Sequence, residues 1–257
     1  MSARRFAVVV VVALGLLLAA CGGAPEEAKP DMTGTLTVFA ASSLTEAFTE
    51  LGRAFEADHP GLEVTFNFGA SSALAQQLNE GGAADVFVSA DEANMNKVID
   101  AGNAIAPQVI ARNRLSILVE KGNPKGITGL ADLAEADVVT VLCAPEVPCG
   151  RFAAAALAKA SVTVKPASLE ENVKGVVAKV TLGEADAGIV YVSDVQAAAD
   201  KAEGVDIDIA DDPALEAVYP MAVTKDPANA EAAEAWLELV RSDDGQETLA
   251  SFGFLSP

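Results

Sequence analysis

Two places in this chain carry the same local pattern: a short apolar strand, a pair of serines, then helical spacing. In the first, Thr35–Phe39 is apolar and β-branched, Ser42 and Ser43 follow, and Leu44, Ala47, Phe48, Leu51, Ala54 and Phe55 recur at three- and four-residue steps. Ser43 with Glu46 fits the S-x-x-E capping box, which predicts Ser43 at the N-cap. In the second, Leu62–Phe68 alternates like a half-buried strand and runs through Gly69-Ala70-Ser71-Ser72 into a helix over Ala73–Leu78. Each junction gathers free backbone N–H groups, a hydroxyl and the positive end of a helix dipole, which together suit an anion. In an open α/β sheet both junctions fall at the carboxyl ends of strands, where ligands bind. Serine is also simply a good helix cap, so either junction taken alone has a purely structural explanation.

The rest of the chain continues the alternation. Asp85–Ala90, Leu115–Val119, Val138–Leu142, Ala187–Tyr191 and Val205–Ile209 read as strands, with Asp91 as the cap of the helix after the first of them. Ile127–Leu133 suggests a short helix and Phe152–Ala160 an alanine-rich one. Val173, Val176, Val177 and Val180 share a helix face, for which Ser168 (with Glu171) and Asn172 compete as cap. Pro220 demotes Val218–Val223 to an edge or crossover segment. Helices over Ala228–Arg241, around Trp236, and Gly245–Phe252 close the chain. His59, the only histidine, falls in a helix-ending turn and reads as exposed and functionally silent.

Ahead of this α/β region, Arg4 and Arg5 precede an apolar run, Phe6–Ala20, that is short for a bilayer span. It ends in Leu18-Ala19-Ala20-Cys21-Gly22, which resembles the lipobox of bacterial lipoproteins. That resemblance implies cleavage of residues 1–20, lipidation of Cys21 and anchoring outside the cytoplasm at the cell membrane. Residues 22–33, with Pro25 and Pro30, read as a flexible tether. Of the 17 Lys and Arg, two (Arg4 and Arg5) leave with the leader, so 15 face 37 Asp and Glu, a formal charge of −22. Such a surface repels nucleic acid and anionic head groups, and an anion would have to be held by a buried site working against that field. Cys143 and Cys149 bracket Pro145 and Pro148 in an exported chain, which favours a disulfide; a metal site would need further soft ligands that the neighbourhood does not supply.

Taken together, Thr37–Thr45, Phe68–Leu74, Ala84–Asp91, Pro145–Gly150, Asn172–Gly175 and Gly188–Asp194 resemble, in order and over nearly all of the chain after the leader, the substrate-binding proteins of molybdate ABC transporters. The resemblance implies a two-lobed α/β flytrap fold of the type II periplasmic-binding class, with 34–113 and 220–257 in one lobe, 114–219 in the other, and crossings near Arg112–Leu115 and Val218–Pro220. It implies a monomer that takes molybdate or tungstate as ligand, uses no cofactor or resident metal, and hands its cargo to a membrane permease. Carried over by motif, Ser43 and Ser71 each give a hydroxyl and an N–H, Cys149 and Val173 give backbone N–H groups, and Tyr191 gives its phenolic OH. Ser42 and Ser72 are neighbouring substitutes. Where Cys149 stands, members of that family often have a small residue such as alanine; a bridge to Cys143 would stiffen that wall. Val173 can donate only if Asn172 is the true cap. Arg151 and Lys174 stand beside these donors; each could equally be a solvated first-turn residue, and they are expected to tune on-rate more than specificity.

Other readings remain in view at this stage. The same fold could hold sulfate or another oxyanion, and the lipid anchor alone would suit a surface scaffold or adhesin. A serine hydrolase is disfavoured: His59 sits in a turn and no G-x-S-x-G elbow is present, so no catalytic residue is assigned.

Overall fold

The structure, a computed structural model, describes residues 32–208 and 212–257. The expected leader, the Cys21 lipidation site and most of the tether lie outside the described residues. Met32 is buried and Thr33 already belongs to a strand, so the last positions of that expected tether are part of the fold.

The first run of elements is β1 (Thr33–Ala41), α1 (Thr45–Asp58), β2 (Gly61–Gly69), α2 (Ser71–Asn79), β3 (Val86–Val88), α3 (Glu92–Asp100) and β4 (Gln108–Asn113). Then come β5 (Leu115–Glu120), β6 (Thr140–Cys143), α4 (Pro148–Lys159), β7 (Ser168–Glu170), α5 (Val173–Thr181), β8 (Ala187–Tyr191), α6 (Val192–Ala197) and β9 (Ala202–Val205). The chain ends with β10 (Ala217–Val223), α7 (Ala230–Arg241) and α8 (Asp243–Ser251). The strands form two sheets, ordered β2-β1-β3-β10-β4 and β7-β6-β8-β5-β9. Within them β1 is parallel to β2 and β3, and β6 is parallel to β7 and β8. β10 and β5 run antiparallel to their neighbours. This is the two-lobed α/β architecture that the family resemblance implies.

The parallel strands matter most, because each aims its carboxyl end at the same region. β1 is flanked on both sides by strands that follow it in the chain, so the α1 and α2 crossovers diverge there and open a crevice. The helices are held by burying one stripe: Ala47, Phe48, Leu51 and Phe55 of α1, and Ala233, Trp236, Leu237 and Val240 of α7. Trp236 is the centre of that packing, edge-on to Phe48 at 5.4 Å and to Phe55 at 5.5 Å between ring centroids.

Several expectations change. Val218–Val223 is neither edge nor crossover: β10 lies between β3 and β4. Pro220 is tolerated because the pairing slips there, from Tyr219–Ala111 to Pro220–Val109, a bulge that needs no N–H from the proline. The skipped Ile110 carbonyl accepts from Gln246 Nε2 at 3.0 Å instead. Since Ala217 already pairs with Asn113, the chain returns to the first sheet ahead of Ala217, earlier than Val218–Pro220. His59 is buried, not exposed, with its ring 4.7 Å from that of Phe55. The helix expected over Ile127–Leu133 is a 3-10 turn at Leu130–Ala134, and the strand expected from Val205 ends there, Ile209 lying outside the described residues.

Candidate functional site

Where the two sheets face each other, residues at or just after the ends of β1, β2, β3, β6, β7 and β8 line a narrow pocket of about 10 Å³. All five residues singled out from the sequence, Ser43, Ser71, Cys149, Val173 and Tyr191, line it, and all are buried. Ser42 lines it as well, whereas Ser72 faces an outer groove.

Local geometry decides what each can offer. Ser71 is the first residue of α2 and Val173 the first of α5, and Cys149 is the second of α4, directly after Pro148. First-turn N–H groups have no acceptor within their own helix, so these amides are available to a ligand and carry the positive end of the dipole. Of the two competing caps, Asn172 wins: its Oδ1 accepts from Gly175 N at 3.1 Å, while Ser168 lies in β7. Asp91 likewise caps α3 through Asn94 N at 2.7 Å.

The capping box at Ser43 does not form. Ser42–Leu44 is a 3-10 turn, α1 starts at Thr45, and no side chain caps it. The Ser43 hydroxyl lies 2.8 Å from the Tyr219 hydroxyl, and Glu46 is taken by Lys174 at 2.7 Å. At Ser71 the hydroxyl oxygen accepts from Ala90 N at 2.9 Å, which leaves its proton uncommitted. The Tyr191 hydroxyl is buried in the cavity wall with no hydrogen-bond partner among the described residues. Burial pushes its ionisation well above the usual phenol range, so it stays protonated and can donate.

The lining residues therefore carry hydroxyls, amides and small apolar groups, and no carboxylate is among them. Charges stand just outside, already paired across the crevice. Arg151 of α4 pairs with Asp91, and Lys174 of α5 contacts both Glu46 of α1 and the fully buried Asp194 at 3.0 Å. Burial pushes the Asp194 carboxyl up, opposed by Lys174. Burial also pulls the Lys174 ammonium down, but Asp194 and Glu46 together outweigh it and hold it above its ordinary value. Both cations are thus already paired with acids beside the crevice.

Cys143 and Cys149 form a disulfide, with Cα atoms 5.9 Å apart, joining the end of β6 to the first turn of α4. Next to it a Cβ on Gly150 would lie 2.0 Å from Ala144 O, so only glycine lets the loop backbone pass this close beneath the helix. A larger recess near Gly82 and Lys225 holds the buried Asp85, but both its oxygens are satisfied, by Thr37 N at 2.7 Å and Asn229 N at 2.9 Å, so its role is structural. Sequence reasoning missed Tyr219 and Asp194; for Tyr219 the available signal was a polar-tipped aromatic inside an otherwise apolar strand.

A two-lobed α/β fold with converging helix N-termini at the sheet-to-sheet crevice defines a solute-binding architecture. The pattern of the bacterial extracellular solute-binding proteins matches residues 36–255, and the chain belongs to that family, whose members bind solutes and are not enzymes. The molybdate-binding protein ModA of Mycobacterium tuberculosis (strain H37Rv) is 38% identical over 245 residues, covering 93% of each chain. The periplasmic molybdate-binding protein of Azotobacter vinelandii has a similar fold, with a TM-score of 0.75 at 20% identity over 86% of this chain and 99% of that one. The sulfate-binding protein SubI of M. tuberculosis also shares the fold, with a TM-score of 0.72 at 18% identity over 87% of this chain and 86% of that one.

Proposed function

We propose that this protein captures molybdate, and tungstate with it, in the crevice between its lobes and delivers the oxyanion to an ABC permease. The observation that carries the reading is the Tyr191 hydroxyl: a fully buried phenol with no partner among the described residues, in a pocket lined by hydroxyls and helix-start amides and by no carboxylate. A dianion buried without a countercharge is very costly unless donors satisfy its oxygens. Ser43, Ser71, Cys149, Val173 and Tyr191 supply such donors from both lobes, residues 34–113 with 220–257 on one side and 114–219 on the other, less the short Ala217–Tyr219 segment that pairs with β4. Because the donors are split, the anion binds the closed form more tightly than the open one and shifts the population toward closure. Hydrogen phosphate would bring a proton with no carboxylate to accept it, so fully ionised oxyanions are favoured; cavity size then separates molybdate from the smaller sulfate. Lipid attachment at Cys21 keeps the monomeric binder at the outer face of the membrane, near its permease.

Thermal unfolding in separate titrations with molybdate, tungstate, sulfate and phosphate tests this. At a hundred times its dissociation constant the cognate ligand adds about 2.7 kcal/mol of stability. Stabilisation by the first two and not the others is expected; a response to sulfate alone would keep the fold's role and replace the cargo.

The Cys143–Cys149 bridge holds the Cys149 amide against the cavity, and its removal should be felt twice. The Cys143→Ala/Cys149→Ala variant is expected to lose about 2 kcal/mol of stability, from the loop-closure entropy of so short a loop. It should also bind molybdate more weakly. Equal affinity in calorimetric titration of the two proteins would show that the bridge does not preorganise the loop.

A further inference from the structure

Two acids from the connections of the first sheet meet two cations from the connections of the second across the crevice. Glu46 lies in the first turn of α1, three residues after Ser43, and its carboxylate meets Lys174 Nζ at 2.7 Å. Asp91 caps α3 and pairs with Arg151; it directly follows Ala90, whose N–H goes to the Ser71 hydroxyl oxygen. On the other side, Lys174 directly follows Val173 in α5, and Arg151 stands two residues after Cys149 in α4. One ion pair is thus tied through the chain to Ser43 and Val173, and the other, through Ala90, to Ser71 and Cys149. The surroundings of the four residues fix what parting the pairs would cost. Asp91 is the buried member of its pair, and it keeps bonds from Asn94 N at 2.7 Å and Asn94 Nδ2 at 2.9 Å, both within its own helix. Lys174 keeps Asp194 at 3.0 Å, on its own side of the crevice. The members that lose their ion-pair partner are Arg151 and Glu46, whose side chains are 42% and 38% exposed and open to water. Parting the pairs strands no buried charge, so the cost stays near that of a partly exposed ion pair and far below that of a buried one.

We propose that Glu46 and Asp91 are positioning residues for anion capture: through Lys174 and Arg151 they latch α5 and α4 over the crevice and hold the Val173 and Cys149 amides around the oxyanion. The movement that brings those amides to the anion also seats the two ion pairs, so the closed form gains the anion bonds and the latch together. A latch of modest strength suits a carrier that must reopen to release its cargo. The role rests on the oxyanion reading of the pocket, and it carries a sign that plain electrostatics does not share. A carboxylate beside an anion site repels the ligand, so on Coulomb grounds alone its removal should tighten binding. Under the latch its removal weakens binding, because the closed form loses a contact that the open form never had.

The test is a titration and a rapid-mixing measurement on wild type, Glu46→Gln, Arg151→Gln and the double variant with sodium molybdate, at low and at high NaCl. Glu46→Gln keeps the Lys174–Asp194 contact and should melt close to wild type. Its molybdate affinity should fall about fivefold, the scale of one partly exposed ion pair, and the loss should lie in faster dissociation. Arg151→Gln should show a loss of similar size, and the two should add in the double variant, since the pairs share no group. The gap between wild type and Glu46→Gln should narrow as NaCl rises, because salt screens the pair that only wild type can form. Should sulfate prove to be the cargo, the same losses are expected with sodium sulfate. Binding by Glu46→Gln that is as tight as wild type or tighter would overturn the latch and leave the oxyanion reading standing. So would a lower melting temperature with an unchanged dissociation rate, the mark of a residue that merely supports α1. If Arg151→Gln does not fold, Glu46→Gln decides alone. Failure of wild type to bind molybdate, tungstate, sulfate or phosphate would remove the oxyanion reading, and the latch with it.

Discussion

Replacing Lys174 with methionine should destabilise the protein by about 3 kcal/mol at neutral pH, because it strands a buried carboxylate without its counterion. Asp194 is fully buried, and Lys174 Nζ at 3.0 Å is the cation beside it; its other oxygen accepts from Tyr191 N at 3.2 Å. For a domain of this size the loss corresponds to a fall in Tm of about 6–12 °C. The effect should depend on pH in a definite direction. An acid whose folded pKa is raised penalises the folded state above its unfolded value, 3.8 for Asp194, and the penalty vanishes below that value because the group is protonated in both states. Loss of Lys174 raises the folded pKa of Asp194 further, so the deficit relative to wild type should be full at pH 7 and shrink as pH falls toward 3.8. On the lysine side, a folded pKa held above 10.5 means that the stabilisation in wild type is complete at neutral pH and is lost only in strong alkali. Melting curves of the two proteins from pH 4 to pH 8 would check this, and a deficit that stays constant over that range would refute the assignment.

Removing the Tyr191 hydroxyl should move stability and affinity in opposite directions. In this closed arrangement that hydroxyl is buried with no partner among the described residues, and such a group carries a penalty of about 1–3 kcal/mol. Tyr191→Phe keeps the ring, which packs 6.4 Å from that of Tyr219 between centroids, and deletes only the orphaned oxygen. Its melting temperature without anion should therefore equal or exceed that of wild type. Molybdate affinity should fall by about 10- to 100-fold, since a hydrogen bond to a charged group in a buried site is lost. A structural tyrosine would behave otherwise, losing stability and leaving anion affinity alone. Paired melting and titration measurements on the same preparation separate the two cases. This trade of stability for function is the behaviour expected of a preorganised binding group.

How much of this was legible in the sequence follows from the range of the interactions involved. The strand-to-helix junctions at Ser43 and Ser71 could be read directly, because strand alternation and helical spacing are properties of neighbouring residues, whereas Val173 entered through the family resemblance and α4 starts at Pro148, ahead of the Phe152 that the alanine run suggests. The alternation of such junctions set the α/β class and placed the donors at strand ends. The choice between Ser168 and Asn172 was also local, settled by which residue stands next to the first turn of α5. Local rules failed where a distant partner offered more. The capping box at Ser43 and Glu46 is a sound local motif, yet Tyr219, 176 positions away, takes the hydroxyl and Lys174, 128 positions away, takes the carboxylate. Pro220 enters an interior strand because a bulge and Gln246 absorb its missing N–H, and His59 is buried because Phe55 lies one helical turn behind it.

The sequence by itself determined which backbone amides and hydroxyls stand at the ends of strands, since those depend on the order of residues along the chain. Only the tertiary structure decided that the Ser43 hydroxyl meets Tyr219, which acids pair with Arg151 and Lys174, and that the Tyr191 hydroxyl has no partner among the described residues. These are outcomes of competition among polar groups brought together by packing. A hydroxyl or carboxylate takes whichever partner lies within about 3 Å, and sequence distance has no bearing on that choice.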